Sequence, residues 1–308
     1  MGYKQIYIRK SHKILLKNNA LCIIKDVNDL EEIFIPLEDI STILIENPFT
    51  VITARLLTEC SKYGITTYLC NEEYLPNTQI LPLNEYYNQL AVYNMQISIN
   101  KNLKAKIWQK IVKSKIKNQK IVISFTSNAE DAIRMLEEYE KKVKLNDIDN
   151  REGIASKVYF QSIFGQEFIR FAVNNVSNAL NYGYTILNNS IVRTLILHGF
   201  NTYIGIWHES DKNAFNLASD FIEPFRPIVD YFCYWNENFL DFPLSPSNKK
   251  KLISLLNTKI SINNKICSID YAIDEVIKSF LRVLETNEIE HLILPEIIGV
   301  NFIDEEYI

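Results

Sequence analysis

The hydrophobic period of this chain changes near residue 80, and a chain with two periods has to build two kinds of layer. Before that point apolar residues alternate along Tyr3 to Arg9, His12 to Leu16 and Leu21 to Lys25. Asn18-Asn19 lies between the second and third runs, and Asn tolerates the positive φ that a tight hairpin needs. The runs 31–36, 41–46 and 65–70 are rich in β-branched residues and read as further strands. One helix interrupts them: Ile52, Leu56, Leu57 and Cys60 are spaced for a helix over 51–63, with Thr50 as its cap and Gly64 at its end. The segment 71–86 holds Pro76, Pro82 and polar turn residues and carries the linker. The fold class expected is α+β. A small β-rich N-terminal domain (1–80) is followed, after 81–87, by a larger all-α catalytic domain (88–308).

Within the second region, 88–120 has helical spacing through Leu90, Val92, Ile107, Ile111, Val112 and Ile116. Lysines at 101, 104, 106, 110, 113, 115, 117 and 120 run among them. They read first as a solvated helix face; a basic strip for phosphates is the second reading. A Glu- and Lys-rich surface helix covers 128–144, and another begins near Asn150 and Arg151, with Glu152 in its first turn. A long apolar helix is expected over roughly 168–198, where Asn178, Asn181, Tyr182 and Tyr184 need hydrogen-bond partners if buried. Lys249 to Lys251 form a short basic run next to a helix start at Ser247, and 269–286 form a last amphipathic helix.

Composition excludes several classes. The chain has 308 residues, with 47% hydrophobic and 23% charged residues. That is enough for two domains and is the balance of a globular protein. No apolar run approaches the roughly 18 residues that cross a membrane. Residues 1–10 lack the apolar stretch of a secretory signal. Its 5 cysteines are odd in number and form no Cys-x-x-Cys pair. This argues against a disulfide framework and a thiolate zinc site and for a reducing cytoplasm. Only 8 glycines occur, none in a phosphate loop, and the net charge of −4 gives nucleic acid no bulk attraction.

The densest polar cluster runs from His208 to Pro227. Asp220 and Glu223 would share one face if helical, and two carboxylates side by side repel unless a cation or proton lies between them. Pro224 would bend that helix, and Arg226 stands where it can pair with Asp220 or reach a phosphate. With Glu152 on its own helix start, the candidate catalytic set is Glu152, His208, Asp220 and Glu223. Two carboxylates and an imidazole suit Mg²⁺ or Mn²⁺ with open positions for water and phosphate oxygens. The bland readings stand beside this one: a dipole-favoured Glu152, a histidine with one ordinary hydrogen bond, and a solvated acidic face. The last is weakened by Phe215, Leu217, Phe221, Ile222 and Phe225 around it.

Four stretches together resemble a known family: E-G-x-A-x-x-x-Y-F (152–160), N-A-L-N-Y-G-Y (178–184), the later His208, and D-x-x-E-P-F-R-P (220–227). They resemble the CRISPR-associated integrase of spacer acquisition, the first of the CRISPR-associated proteins, as does I-P-L-E-D-I-S-T-I-L-I-E-N-P (35–48). The style of 46–53 and of E-P-F-R-P looks most like the branch that accompanies type II effector nucleases. The resemblance implies metal ligands at Glu152, His208 and Glu223, with Glu223 where some relatives carry Asp, and an acidic neighbour at Asp220. It implies Mg²⁺- or Mn²⁺-dependent transesterification, in which a 3′-hydroxyl of a DNA fragment attacks a phosphodiester at the repeat border of a CRISPR array. It implies double-stranded DNA as partner, a homodimer through the N-terminal domain, and a hetero-hexamer with the small second CRISPR-associated protein, with other type II adaptation proteins beside it. DNA would follow local groups, for which Lys157, Tyr182, Arg193, Arg226, Lys249 and Lys250 are the candidates. A non-catalytic DNA-binding scaffold and a metal-dependent phosphodiesterase are the alternatives.

Overall fold

A computed structural model describes residues 4–10, 13–24, 32–72, 76–80, 88–300 and 302. The chain divides into two compact units, Met1–Tyr87 and Asn88–Ile308.

The first unit runs β1 (Lys4–Ile8), β2 (Lys13–Lys17), β3 (Ala20–Ile24), β4 (Glu32–Pro36), β5 (Ile40–Ile45), β6 (Val51–Ile52), α1 (Ala54–Lys62), β7 (Thr66–Cys70) and β8 (Pro76–Ile80). These strands form two four-stranded sheets, ordered β1-β5-β7-β8 and β4-β3-β2-β6. In the first, β1 and β7 flank β5 in parallel and β8 closes one edge antiparallel. The near-continuous burial of β5 is what a strand inside a parallel sheet requires. The β2–β3 hairpin turns at Asn18 and Asn19, both at positive φ (53° and 56°), as the Asn-Asn pair predicts. One core, including Ile14, Leu21, Ile43, Leu56 and Ile65, joins strands of both sheets to α1.

Two expectations change here. The helix does not begin at Thr50. Val51 and Ile52 pair in parallel with Lys13 and Ile14, and Thr53 caps α1 by accepting from the Leu56 amide at 3.4 Å. Two β-branched residues beside an open sheet edge gain more from the ladder than from a helical turn. In the stretch read as turns, Pro76 to Ile80 form an edge strand, a place where proline is tolerated because its missing donor faces outward. Tyr3, His12, Lys25, Glu31 and residues 81–87 lie outside the described residues.

The second unit runs α2 (Gln89–Ile97), α3 (Lys101–Phe125), α4 (Glu130–Lys142), α5 (Arg151–Phe164), α6 (Asn175–Leu197), α7 (Asn216–Phe221), α8 (Arg226–Asn236), α9 (Pro246–Ser254), β9 (Lys259–Ile262), β10 (Lys265–Ser268) and α10 (Ile269–Thr286). Its strands form the β9–β10 hairpin, whose turn is again an Asn pair at positive φ, Asn263 and Asn264. Helix α6 starts at Asn175 rather than near residue 168. Asn174 caps it by accepting from the Ser177 amide at 2.7 Å, the role Asn fills well at a helix start. No helix among the described residues is long and apolar enough to cross a membrane.

The axis of this unit is α3, 25 residues long and packed by α4, α5, α7 and α8. The solvated lysine face expected along it is formed only in part: Lys101, Lys106 and Lys117 are exposed, whereas Lys115 is buried. Lys104 donates to the Gly205 carbonyl at 3.0 Å and Lys110 to the Ile289 carbonyl at 3.2 Å, while Lys117 and Lys120 pair with Glu296 and Glu140. Lysines on a central helix reach out along their stems to neighbouring segments.

Candidate active site

Three elements meet at one ammonium group. Lys115, in the middle of α3, is 7% exposed. Its Nζ lies 2.5 Å from Glu223 Oε2 and also contacts Glu152 Oε1. Glu152 stands in the first turn of α5, and Ser156 one turn later donates to its Oε1 at 3.2 Å. The turn's own amides are satisfied by Asp147, which accepts from the Arg151 and Glu152 amides at 2.9 and 3.0 Å. Glu152 is thereby released from capping and its carboxylate can face Lys115.

Glu223 does not share a helix face with Asp220. Helix α7 ends at Phe221, residues 222–225 turn, and α8 begins at Arg226. Pro224 ends the helix instead of bending it, because its ring clashes with a preceding carbonyl. The turn is clamped from α3: Asn118 donates to the Pro224 carbonyl at 2.8 Å. Arg226 Nε donates to Glu223 Oε1 at 2.9 Å, and its guanidinium lies 4.7 Å from the centre of the Tyr184 ring. Arg226 thus pairs with Glu223, not with Asp220. Burial alone would push the Glu223 carboxyl up; Arg226 and Lys115 outweigh it and hold it at about 2. Burial likewise lowers Lys115, but the Glu223 and Glu152 carboxylates overcome that and leave it above the ordinary lysine value. Tyr184 in turn donates to Asp230, a carboxyl that burial raises to about 6 against the lowering effect of its tyrosine partners.

Asp220 belongs to a different arrangement. It is fully buried and accepts from the amides of Ile206 at 2.5 Å and His208 at 3.1 Å, and from the Trp207 amide at 3.3 Å. Its Oδ1 also lies 2.8 Å from His208 Nδ1. A Cβ on Gly205 would stand 2.2 Å from the His208 carbonyl and 2.9 Å from Asp220 Oδ2, so this loop closes on its carboxylate only with glycine there. Trp207 stacks on Trp108 (centroids 5.5 Å apart), and Trp108 meets the His208 ring edge-on at 5.8 Å. Asp220 is thus a positioning residue that fixes the imidazole through Nδ1 and leaves Nε2 for a further partner. The hydrogen bond to Asp220 raises the His208 pKa against the lowering effect of burial, and the Glu223 charge adds to the rise.

The structure therefore brings Glu152 and Glu223 together on Lys115 and holds His208 on Asp220 instead. Among the described residues no group of three or more His, Cys, Asp or Glu is drawn together to hold a metal ion. The donor chemistry nonetheless fits a hard divalent cation. Two carboxylates from separate elements already surround one cation, and Mg²⁺ takes one or two carboxylates with water completing its shell.

The pair opens on a cleft of about 620 Å³, whose wall includes Lys157, Phe160, Arg170 and Arg226. Of the DNA candidates, Lys157 and Arg226 line this cleft, and Lys250 is exposed on α9. Tyr182, Arg193 and Lys249 do not. They are 1%, 3% and 7% exposed. Lys249 lies over the Tyr182 ring at 5.9 Å, and Arg193 is 3.8 Å from Asp270. Side chains at this depth are held by packing rather than offered to a ligand in this structure. Sequence reasoning missed two participants. Arg170, between α5 and α6, is 5.1 Å from the Tyr184 ring centre. The other is Lys115, whose signal was present: it is one turn from both Ile111 and Gln119, inside the buried stripe of α3.

The profile described as "CRISPR associated protein Cas1" matches residues 6–236. The chain belongs to the Cas1 family. It is 38% identical over 300 residues to a protein of Neisseria meningitidis serogroup C (strain 8013) named CRISPR-associated endonuclease Cas1, covering 97% of each chain. Among solved structures it shares its fold with a casposase bound to an integration product (TM-score 0.75, 19% identity, 99% of this chain and 94% of that one). It also shares it with a chain of a partial Cas6-RT-Cas1–Cas2 complex (TM-score 0.64, 18% identity, 95% and 98%).

Proposed function

We propose that this Cas1-family chain is a metal-dependent DNA integrase and endonuclease that inserts DNA fragments into a CRISPR array by transesterification. The observation that carries the reading is the convergence of Glu152 and Glu223, from two separate elements, on one buried cation at the wall of a basic cleft. Its Cas1 relative from Neisseria is named an endonuclease, and the casposase of like fold was solved with an integration product. Both names fit phosphodiester chemistry.

In this reading Glu152 and Glu223 would hold Mg²⁺ or Mn²⁺, with His208 as the further ligand that the resemblance implies. The bound ion would neutralise charge developing on the phosphate and activate the attacking 3′-hydroxyl. The protein's own groups do the rest. Asp220 and Trp108 keep the imidazole in one orientation. Arg226, gripped by Glu223 and Tyr184, and the neighbouring Arg170 and Lys157 bring a phosphate to the carboxylate wall and hold it in line. No side-chain nucleophile is required. Double-stranded DNA and the small Cas2 protein are the partners, the first unit joins two copies as a homodimer within a hetero-hexamer, and the type II branch is its place.

The test is strand transfer on a branched DNA that mimics a half-integrated product, with Mn²⁺ and the protein alone. Release of the branch with rejoining of the target strand, lost in Glu223→Ala, is the expected result. DNA binding without rejoining would favour the scaffold reading. Turnover of a small phosphodiester, with binding insensitive to salt, would favour a phosphodiesterase.

A further inference from the structure

The oxygens a divalent ion would need are the ones Lys115 already occupies. Glu223 divides its two oxygens between two cations: Oε1 accepts from Arg226 at 2.9 Å and Oε2 from Lys115 at 2.5 Å. On Glu152, Oε1 takes both Lys115 and Ser156. A divalent ion held by these two glutamates would have to compete with the ammonium that now takes Glu152 Oε1 and Glu223 Oε2. Two cations that close repel strongly in a site this dry.

We propose that Lys115 is a resident counter-cation. It holds the divalent ion's place between Glu152 and Glu223 in the unloaded protein, and loading displaces its ammonium into the cleft. The inference rests on the metal-dependent reading given above. Without Lys115 the unloaded pair would be two adjacent carboxylates at a largely buried wall, a costly arrangement. With it the site is neutralised, and Arg226 stays on the far oxygen. The backbone has no freedom to withdraw: just beyond Lys115 on α3, Asn118 grips the Pro224 carbonyl at 2.8 Å, the Pro295 carbonyl at 3.0 Å and the Ile297 amide at 3.1 Å. The ammonium, by contrast, ends a flexible four-carbon stem. Its open side is the cleft of about 620 Å³, so it can swing without moving α3. The same swing would place it among Lys157, Arg170 and Arg226, where the phosphates of a bound strand would receive it.

Mn²⁺ binding to the full chain, followed by the electron paramagnetic resonance of the free ion, tests the exchange. Lys115→Met should bind Mn²⁺ at least about tenfold tighter than wild type, the equivalent of roughly 1.4 kcal/mol of relieved repulsion, and Lys115→Arg no tighter than wild type. In chelator, Lys115→Met should melt below wild type, and saturating Mn²⁺ should close that gap. Wild type itself supplies the control for folding: labelling of Lys115 by an amine reagent, read by mass spectrometry, should rise when Mn²⁺ is added. Wild-type binding of Mn²⁺ with no gain in Lys115→Met, or with Lys115 labelling unchanged, would overturn the proposal and leave the metal-dependent function standing. If neither protein binds Mn²⁺, both fall.

Discussion

Asp220 and Glu223 are near neighbours in the chain and end in opposite kinds of site. Asp220 is closed in by backbone: three amides of the 206–208 segment and the imidazole of His208 take up its oxygens, and it has no exposed surface. Glu223 is closed in by cations, Lys115 on one oxygen and Arg226 on the other, at the edge of a cleft. Amide donors are held by the fold and cannot leave. Side-chain cations can exchange for another cation. The first carboxylate therefore builds the loop that presents His208, and the second is the one for which we propose a divalent ion. Their position in sequence, D-x-x-E, distinguishes neither role.

The largest expected effect lies on the Asp220 side. Asp220→Ala orphans three amides, the Ile206 one buried, and frees His208. A hydrogen bond to a charged group contributes roughly 1.5–3 kcal/mol and Asp220 accepts several, so a loss of about 4 kcal/mol or more is expected in urea unfolding, with strand transfer lost. A loss under about 1 kcal/mol would show that the loop does not depend on its carboxylate.

Glu223 should respond to pH instead. Its carboxyl is lowered from the ordinary 4.5 to about 2 in the folded protein. A lowered carboxyl contributes stability that is fully present above its unfolded value and is lost as pH falls through the folded one. That contribution is about 3 kcal/mol at neutral pH, lost between about pH 4.5 and 2. Glu223→Gln should flatten that part of the curve measured by urea unfolding at successive pH values, with a smaller loss at neutral pH than Asp220→Ala shows. An unchanged acid limb in the variant would mean that Lys115 and Arg226 do not hold the carboxylate as described.

The smallest effect separates cleft lysines from buried ones. Lys157→Ala should reduce the slope of log affinity against log salt for duplex DNA by about 0.9, one phosphate's worth of released counterion. Lys249→Ala, which removes a group packed on Tyr182, should lower stability and leave that slope alone. The reverse pattern would put the buried lysine, not the cleft, in the path of DNA.

Much of this molecule is legible from spacing. The Asn-Asn turn at residues 18 and 19 and the helix over 269–286 follow from local φ preference and from an apolar stripe, both properties of neighbouring residues. Val51-Ile52 and Pro76–Ile80 escape such a reading because their state depends on a strand partner far along the chain or across an edge, Lys13-Ile14 for one and β7 for the other. The candidate site divides in the same way. Glu152, His208, Asp220 and Glu223 are visible as residue types in an ordered set of motifs. Lys115 is hidden in a run of lysines that looks like one solvated face, because sequence does not say that α3 is packed by four other helices.

The sequence by itself determined the two-period organisation, the Asn-Asn turn, the starts of α5 and α10 and the candidate acids, since each is set by side chains within a turn or a strand of one another. Only the tertiary structure decided the roles. It placed Asp220 beneath backbone amides and Glu223 beside two cations, and it buried Tyr182, Arg193 and Lys249 within the helical unit. It also brought Lys115 from α3 to residues 37 and 108 positions away. The physical reason is that charge and burial depend on what lies across the packed interface, and the chain reaches that interface only by folding.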